Sequence, residues 1–315
     1  MEKPKVIVIC GPTASGKTAL SIELAKKING EIVSADSMQL YQYMDIGTAK
    51  PSKTEMDGIN HYLIDCISPE LRYSVANYKK QAIEAIEAIL KKGKIPIVVG
   101  GTGLYIDSLI YGIEYDDYEV DLKYREELEK IYEEKGLEFL YQKAEFIDPI
   151  AIKKISKNDK KRIFRILEIY NSTGKTKTQQ EIESRKNDIP YDYKVFAINI
   201  DREKLYQRIN SRVDIMIKNG LIEEVKNLIE KYTFIPTALQ GLGYKEVVDY
   251  INNKYSKEEM IEKIKMETRR YAKRQITWFK KNKQTIWLDG LMCRQNNINI
   301  ILEGMKWKKT KYCNL

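Results

Sequence analysis

Residues 11–18 read Gly11-Pro12-Thr13-Ala14-Ser15-Gly16-Lys17-Thr18, the G-x-x-x-x-G-K-S/T pattern of a phosphate-binding loop. The apolar run Val6-Ile7-Val8-Ile9-Cys10 precedes it, as a buried strand would. Ala19-Leu20-Ser21-Ile22-Glu23-Leu24-Ala25 follows as an amphipathic helix. Glycines let the backbone close around an anion, and the helix start aims N–H groups and the positive dipole end at it. Lys17 would neutralise phosphate charge and Thr18 would offer its hydroxyl to Mg²⁺. The chemistry is the holding of a di- or triphosphate, which need not belong to a nucleotide.

A second reactive group stands where the next strand stops. Glu31-Ile32-Val33-Ser34-Ala35 is a short strand with Asp36 at its end, and ligands of open α/β sheets lie beyond the carboxyl ends of strands. Asp36 is therefore placed to face the phosphate or its reaction partner; capping of the next turn, or Mg²⁺ binding alone, is the simpler alternative. A further buried strand, Ile95-Pro96-Ile97-Val98-Val99, ends in Gly100-Gly101-Thr102-Gly103-Leu104-Tyr105. Many P-loop NTPases place a Mg²⁺-organising Asp there. Glycines and Thr102 in its stead argue against routine nucleotide hydrolysis. After a strand at 195–200, Arg208 and Arg212 fall four apart on one helix face, spaced to clamp phosphates. His61 has no partner at ligand spacing and reads as a structural histidine.

These groups need a scaffold, and the pattern is α/β: a P-loop NTPase-like parallel sheet interrupted by helices. Residues 78–92 form an amphipathic helix closed by Gly93, and 61–65 another short strand. From about residue 116 the texture becomes helical, with apolar residues at helical spacing in 121–135, 137–146 and 153–170. The expected organisation is a first core part at 1–118, an all-helical insertion at 119–190 and a second core part at 191–315. Lys160, Lys161, Arg162 and Arg165 cluster on the insertion. The last long helix opens with the capping box Ser256-Lys257-Glu258-Glu259 and carries Arg269, Arg270, Lys273 and Arg274 interleaved with Tyr271 and Trp278. Cations with aromatics suit RNA backbone and bases. Residues after 290 carry no readable pattern.

Composition sets the outer limits. A chain of 315 residues with 43% hydrophobic residues has ample core for one large or two smaller domains. Its net charge of +9 fits a polyanionic partner, although lysine-rich composition alone produces such values. Cys10, Cys66, Cys293 and Cys313 show no zinc spacing and fit a reducing cytosol. No run approaches the ~18 apolar residues of a membrane span, and a strand begins too early for a signal peptide. The expectation is a cytoplasmic protein with no membrane partner, acting as a monomer.

Taken together, six motifs in order resemble the tRNA dimethylallyltransferase family. They are the phosphate loop, Ser34-Ala35-Asp36-Ser37-Met38-Gln39, Asp45-Ile46-Gly47-Thr48-Ala49-Lys50-Pro51, the glycine run ending in Tyr105, Gly243-Tyr244-Lys245-Glu246, and the stretch from Arg269 to Trp278. The resemblance covers nearly the whole chain up to about residue 290. It implies transfer of a dimethylallyl group from dimethylallyl diphosphate to N6 of the adenosine just 3′ of the anticodon. The phosphate loop would then hold a prenyl diphosphate with Mg²⁺ near Thr18, Lys17, Arg208 and Arg212 would stabilise the leaving pyrophosphate, Asp36 would accept the amine proton, and Thr102 would orient the base. By the same resemblance, the tRNA anticodon stem-loop would be contacted by Asp36, Ser37, Met38 and Gln39; by Lys161, Arg162, Ile163, Phe164 and Arg165; by Gln240, Gly241, Leu242, Gly243, Tyr244 and Lys245; and by Lys273, Arg274, Gln275, Ile276, Thr277, Trp278, Phe279 and Lys280. Gln42, Tyr62, Lys161 and Ile166 depart from the family's usual residues, none at the proposed chemistry. A P-loop small-molecule kinase, a prenyltransferase acting on free adenine nucleotide and a nucleotide-gated RNA-binding protein are the competing readings.

Overall fold

The computed structural model describes residues 2–114, 121–184 and 188–305. In chain order it begins with β1 (Lys5–Cys10), α1 (Lys17–Ile28), β2 (Gly30–Ala35), α2 (Lys53–Met56), β3 (His61–Tyr62), α3 (Val75–Lys91), β4 (Ile95–Gly100) and α4 (Gly103–Ile110). Four helices follow: α5 (Leu122–Ile147), α6 (Pro149–Ile152), α7 (Lys160–Thr173) and α8 (Lys177–Ser184). The chain then returns through β5 (Asp192–Asn199), α9 (Arg202–Lys218), α10 (Leu221–Lys231), α11 (Tyr244–Ile251), α12 (Lys257–Phe279), β6 (Ile286–Asp289) and α13 (Arg294–Gly304).

Six strands form one sheet in the order β3-β2-β4-β1-β5-β6, and each neighbouring pair is parallel. Parallel strands need helices on both faces, which explains the unbroken apolar runs of β1 and β4. Val6, Ile7, Val8 and Ile9 are fully buried, as are Ile97 and Val98. Ile7, Ile9, Leu24, Ile97, Phe196 and Ile198 join one core with Leu205 and Ile209 of α9 and Ala272 of α12. Because all strands run one way, the residues after β1, β2 and β4 emerge on the same edge. That edge is where ligands of such sheets bind.

The chain divides into two compact units. One comprises residues 1–73, 78–106 and 190–315 and contains the sheet; the other comprises 74–77 and 107–189 and is helical. The 118/119 boundary expected from composition lies outside the described residues. Within the helical unit, Leu128, Leu140, Ile152, Ile163, Phe164, Ile166 and Leu167 form a separate buried core. α5 breaks at Gly136 (φ +78°), between the two helical segments that the sequence spacing predicts.

Several boundaries differ from the sequence expectation. The helix predicted from 153 starts only at Lys160, because the Asp159 carboxylate accepts the N–H of Arg162 and caps it there. The strand predicted at 61–65 is two residues long, since Leu63 and Asp65 take left-handed φ values of 58°. The tail after 290 holds α13, whose Ile298 and Ile301 are buried in the main core. Asparagine-rich segments have weak helix propensity, so burial rather than local preference makes that helix.

Candidate active site

β1 delivers the chain into the phosphate loop and α1 takes it out at Lys17. Gly16 sits at the turn with φ +89°, a conformation that side chains rarely adopt, and no side chain caps α1. The first turn of α1 is thereby left for a ligand. Ala14 holds φ +61° without being a glycine, a strain of about 1 kcal/mol of the kind that concentrates at functional sites. The Lys17 ammonium donates to the carbonyl of Pro12 at 2.7 Å. Burial pushes its pKa down to about 8, against the pull of Asp36, while Arg212 pushes the same way as burial.

Asp36 follows β2 directly, half-buried, and its Oδ1 accepts the N–H groups of Met38 at 2.9 Å and Gln39 at 3.4 Å. One oxygen of Asp36 therefore caps the turn, and among the described residues Oδ2 has no hydrogen bond from the protein. Across from it the Thr102 hydroxyl accepts the Ser37 N–H at 3.0 Å and donates to Ser37 Oγ at 3.3 Å, while the Thr102 N–H donates to Ala35 O at 3.1 Å. Thr102 thus ties the end of β4 to the end of β2 and holds the segment carrying Asp36.

The loop with Lys17 and the segment with Asp36 open into one cavity of about 610 Å³, which Thr102 itself does not line. Residues 13–19 form one wall; Asp36, Ser37, Met38 and Gln39 form another with Gly100 and Gly101. Ser34, Thr48, Glu55, Arg212, Tyr244, Thr268, Tyr271, Arg274 and Gln275 add polar groups, and Ile22, Ile32, Val99, Val213, Met216, Leu242 and Ile264 give the cavity an apolar part. Arg212 reaches the loop, its guanidinium donating to the Thr13 hydroxyl at 3.4 Å. Burial lowers its pKa and Asp36 raises it. Arg208, predicted to share that role, does not line this cavity: its guanidinium lies 3.5 Å from Gly290 O, in a second cleft behind the loop. Four residues separate them on α9, and that single turn decides which one faces the site.

His61 lines the cavity too, with Nδ1–H donating to Ile59 O at 2.8 Å, and burial lowers its pKa. Its Nε2 is buried with no hydrogen-bond partner among the described residues.

Two side chains hold the walls: Glu224, unremarked in the sequence, and Gln275, expected there to contact tRNA. Glu224 of α10 accepts the backbone N–H groups of Asp45 (2.8 Å), Ile46 (2.7 Å) and Gly47 (3.0 Å), and the Tyr244 hydroxyl at 2.5 Å. The loop so fixed returns the favour to the site, since Thr48 O and Ala49 O accept the Gln39 amide at 3.2 and 3.3 Å. Gln275 of α12 is buried, accepting the Thr13 N–H and donating to Gly101 O, each at 2.9 Å. Only three-dimensional proximity reveals either pairing, because the partners lie 174 to 262 residues apart for Gln275 and 177 to 179 apart for Glu224.

The remaining predicted positions separate by exposure. Lys161, Arg162 and Arg165 are exposed on α7, whereas Ile163 and Phe164 belong to the core of the helical unit and cannot meet a ligand directly. Gln240 and Lys245 are exposed, while Gly241, Gly243 and Tyr244 are buried against the cavity. On α12, Lys273, Arg274, Thr277 and Lys280 are exposed, Ile276 and Trp278 are half-buried, and Gln275 and Phe279 are buried. Alternation of helix faces accounts for the splits on α7 and α12.

The protein-family model described as IPP transferase matches residues 39–282, more than half of the chain. A tRNA dimethylallyltransferase of Acetivibrio thermocellus is 52% identical over 285 residues, covering 90% of this chain and 91% of the relative. The solved structure of a full-length tRNA isopentenylpyrophosphate transferase from Bacillus halodurans is 39% identical, covers 96% of this chain and 97% of that one, and superposes with a TM-score of 0.72. A eukaryotic dimethylallyltransferase, described as acting on tRNA, is 32% identical with a TM-score of 0.80, covering 98% of this chain and 82% of that one. Fold and sequence agree, and this chain belongs to the IPP transferase family.

Proposed function

We propose that this chain transfers the dimethylallyl group of dimethylallyl diphosphate to N6 of the adenosine 3′-adjacent to the anticodon in tRNA, releasing pyrophosphate. The observation that carries the reading is one cavity holding a phosphate loop, an apolar lining and a carboxylate. Relatives named tRNA dimethylallyltransferase support the substrate class. The apolar side chains suit a five-carbon tail, and the loop with Lys17 and Arg212 suits its diphosphate.

An exocyclic adenine amine is a weak nucleophile. As N6 bonds to the allylic carbon, that carbon's bond to the diphosphate oxygen breaks, and N6 must lose a proton. Asp36, a carboxylate lining the cavity with Oδ2 free of the turn that occupies Oδ1, would accept it. Charge gathering on the departing pyrophosphate meets the loop N–H groups, Lys17 and Arg212. No group of three His, Cys, Asp or Glu side chains among the described residues could hold a metal ion alone. The Thr18 hydroxyl at the cavity does fit Mg²⁺ bound chiefly through substrate oxygens, which is how that ion usually sits. Mg²⁺ there would neutralise diphosphate charge.

A stacked adenosine cannot present N6 to an enclosed cavity, so the base would have to leave the stack. The exposed cations Lys161, Arg162, Arg165, Lys273, Arg274 and Lys280 suit the RNA backbone. Dimethylallyl diphosphate, Mg²⁺ and an anticodon stem-loop mixed with the protein should release pyrophosphate, and mass spectrometry should find N6-prenylated adenosine at that position. Turnover of ATP with no prenylated product would sink the proposal.

A further inference from the structure

The β1–β4 ladder ends at the pair Cys10 and Gly100. Beyond it the two chains part: one becomes the phosphate loop and the other the segment carrying Thr102. Gln275 spans that gap. Its Oε1 accepts the N–H of Thr13 and its Nε2 donates to the carbonyl of Gly101, both at 2.9 Å. The partners fix the orientation of the amide, since an N–H needs the oxygen and a carbonyl needs the nitrogen. No other side chain of this length offers one acceptor and one donor at neutral pH; glutamate, lysine and methionine each fail at least one partner.

The surroundings are built to the same contact. A Cβ added at Gly101 would lie 2.2 Å from Nε2 of Gln275, so that position admits the amide only as glycine. Tyr271, one turn earlier on α12, lines the same cavity beside Gln275. Next to Gln275, Arg274 is exposed and lines the cavity. Gln275 itself is 5% exposed, too little for contact with a nucleic acid.

We propose that Gln275 is a positioning residue that sets the spacing between the phosphate loop and the strand end carrying Thr102, and with it the alignment of the diphosphate against the accepting base. This rests on the prenyl-transfer reading for what is aligned, but the brace itself is a property of the loop. It also means that the Thr13 N–H is spent on Gln275 and is not among those left for phosphate.

Gln275→Met keeps length and burial while removing both hydrogen bonds. A displacement of about 1 Å in a reacting group costs about 100-fold in rate. The expected result is kcat lowered about that much, affinity for inorganic pyrophosphate lowered about ten-fold, and affinity for an anticodon stem-loop and the melting midpoint nearly unchanged. Wild-type kcat in the folded variant would overturn the proposal, as would weakened stem-loop binding with pyrophosphate binding intact. Should Gln275→Met fail to fold, Gly101→Ala decides, because its methyl group displaces the amide: the same split supports the brace and wild-type kinetics refute it. A wild-type protein that binds pyrophosphate but transfers no prenyl group would defeat the functional reading alone. The pyrophosphate affinities of wild type and Gln275→Met would still settle the brace.

Discussion

Strand β2 carries a carboxylate near each end, and the two are handled in opposite ways. Glu31, at the amino-terminal edge of the sheet, is 1% exposed and fully engaged. Its Oε1 accepts Asn60 at 2.9 Å and Lys94 at 2.8 Å, and its Oε2 accepts Lys92 and Tyr62, each at 2.9 Å. Asp36, just past the carboxyl-terminal end, is half-buried and engages the protein through Oδ1 alone. The positive charges near it, Lys17 and Arg212, line a cavity rather than closing on it. A carboxylate with all its acceptor positions filled anchors a fold; one with an oxygen to spare can take a proton from something else.

The largest effect should follow from removing that spare oxygen. Asp36→Asn keeps an acceptor for the Met38 and Gln39 N–H groups, so the turn survives, but it cannot accept the N6 proton. Loss of a general base typically costs 10²–10⁴ in rate. Pyrophosphate release should fall by about that range, while stem-loop affinity changes only a few-fold and the melting midpoint by about 2 °C. Release at more than a tenth of the wild-type rate would mean that Asp36 merely caps its turn.

At Glu31 the loss should appear in stability and spare the chemistry. Burial pushes this carboxyl up, but hydrogen bonds from Lys94, Lys92, Asn60 and Tyr62 outweigh it and hold the pKa at about 2. The folded value lies below the unfolded one, so the stabilisation is complete above about pH 4.5 and is lost as pH falls toward about 2. A shift of that size corresponds to about 3 kcal/mol. Glu31→Gln should lower unfolding free energy by about that amount at pH 7, and the gap from wild type should narrow as the solution is acidified from pH 4.5. Denaturant melts across that window test it. A gap independent of pH, or a loss of transfer per folded molecule like that of Asp36→Asn, would erase the distinction between the two carboxylates.

This contrast was only half legible in the sequence. Asp36 stood out because it ends an apolar strand beside a phosphate loop, a local pattern with a known consequence for position. Glu31 gave no such sign: its partners Asn60, Tyr62, Lys92 and Lys94 come from other strands and loops, and only the sheet order places them around it. The same limit hid Glu224 and misdirected Gln275, whose neighbours on α12 are exposed cations although its own side chain points inward. Arg208 and Arg212 share a helix face at the resolution of a four-residue spacing, yet only one reaches the cavity. Local chemistry was readable where function depends on adjacent residues, as in 11–18, and unreadable where it depends on pairing across the sheet.

The lysines at the two ends supply the smallest test of the comparison. Lys92 is held charged by its hydrogen bonds to Tyr62 and Glu31, which raise its pKa. Lys17 is half-buried, with no carboxylate in contact among the described residues, and desolvation lowers its pKa to about 8. A diphosphate bound in the loop would favour the ammonium and return that pKa toward its ordinary value near 10.5. Binding inorganic pyrophosphate should therefore draw a proton onto Lys17: about half a proton at pH 8, about a tenth at pH 7 and nearly a whole one at pH 9. Affinity falls correspondingly as pH rises through 8, because a growing share of the empty protein must be protonated before it can bind. Calorimetry in buffers of different ionisation enthalpy reads this uptake directly, and subtracting the uptake by Lys17→Met removes the contribution of pyrophosphate's own titration. Equal uptake by wild type and Lys17→Met would show that the lysine is already fully charged in the empty site, leaving it no different in kind from the lysines that hold Glu31.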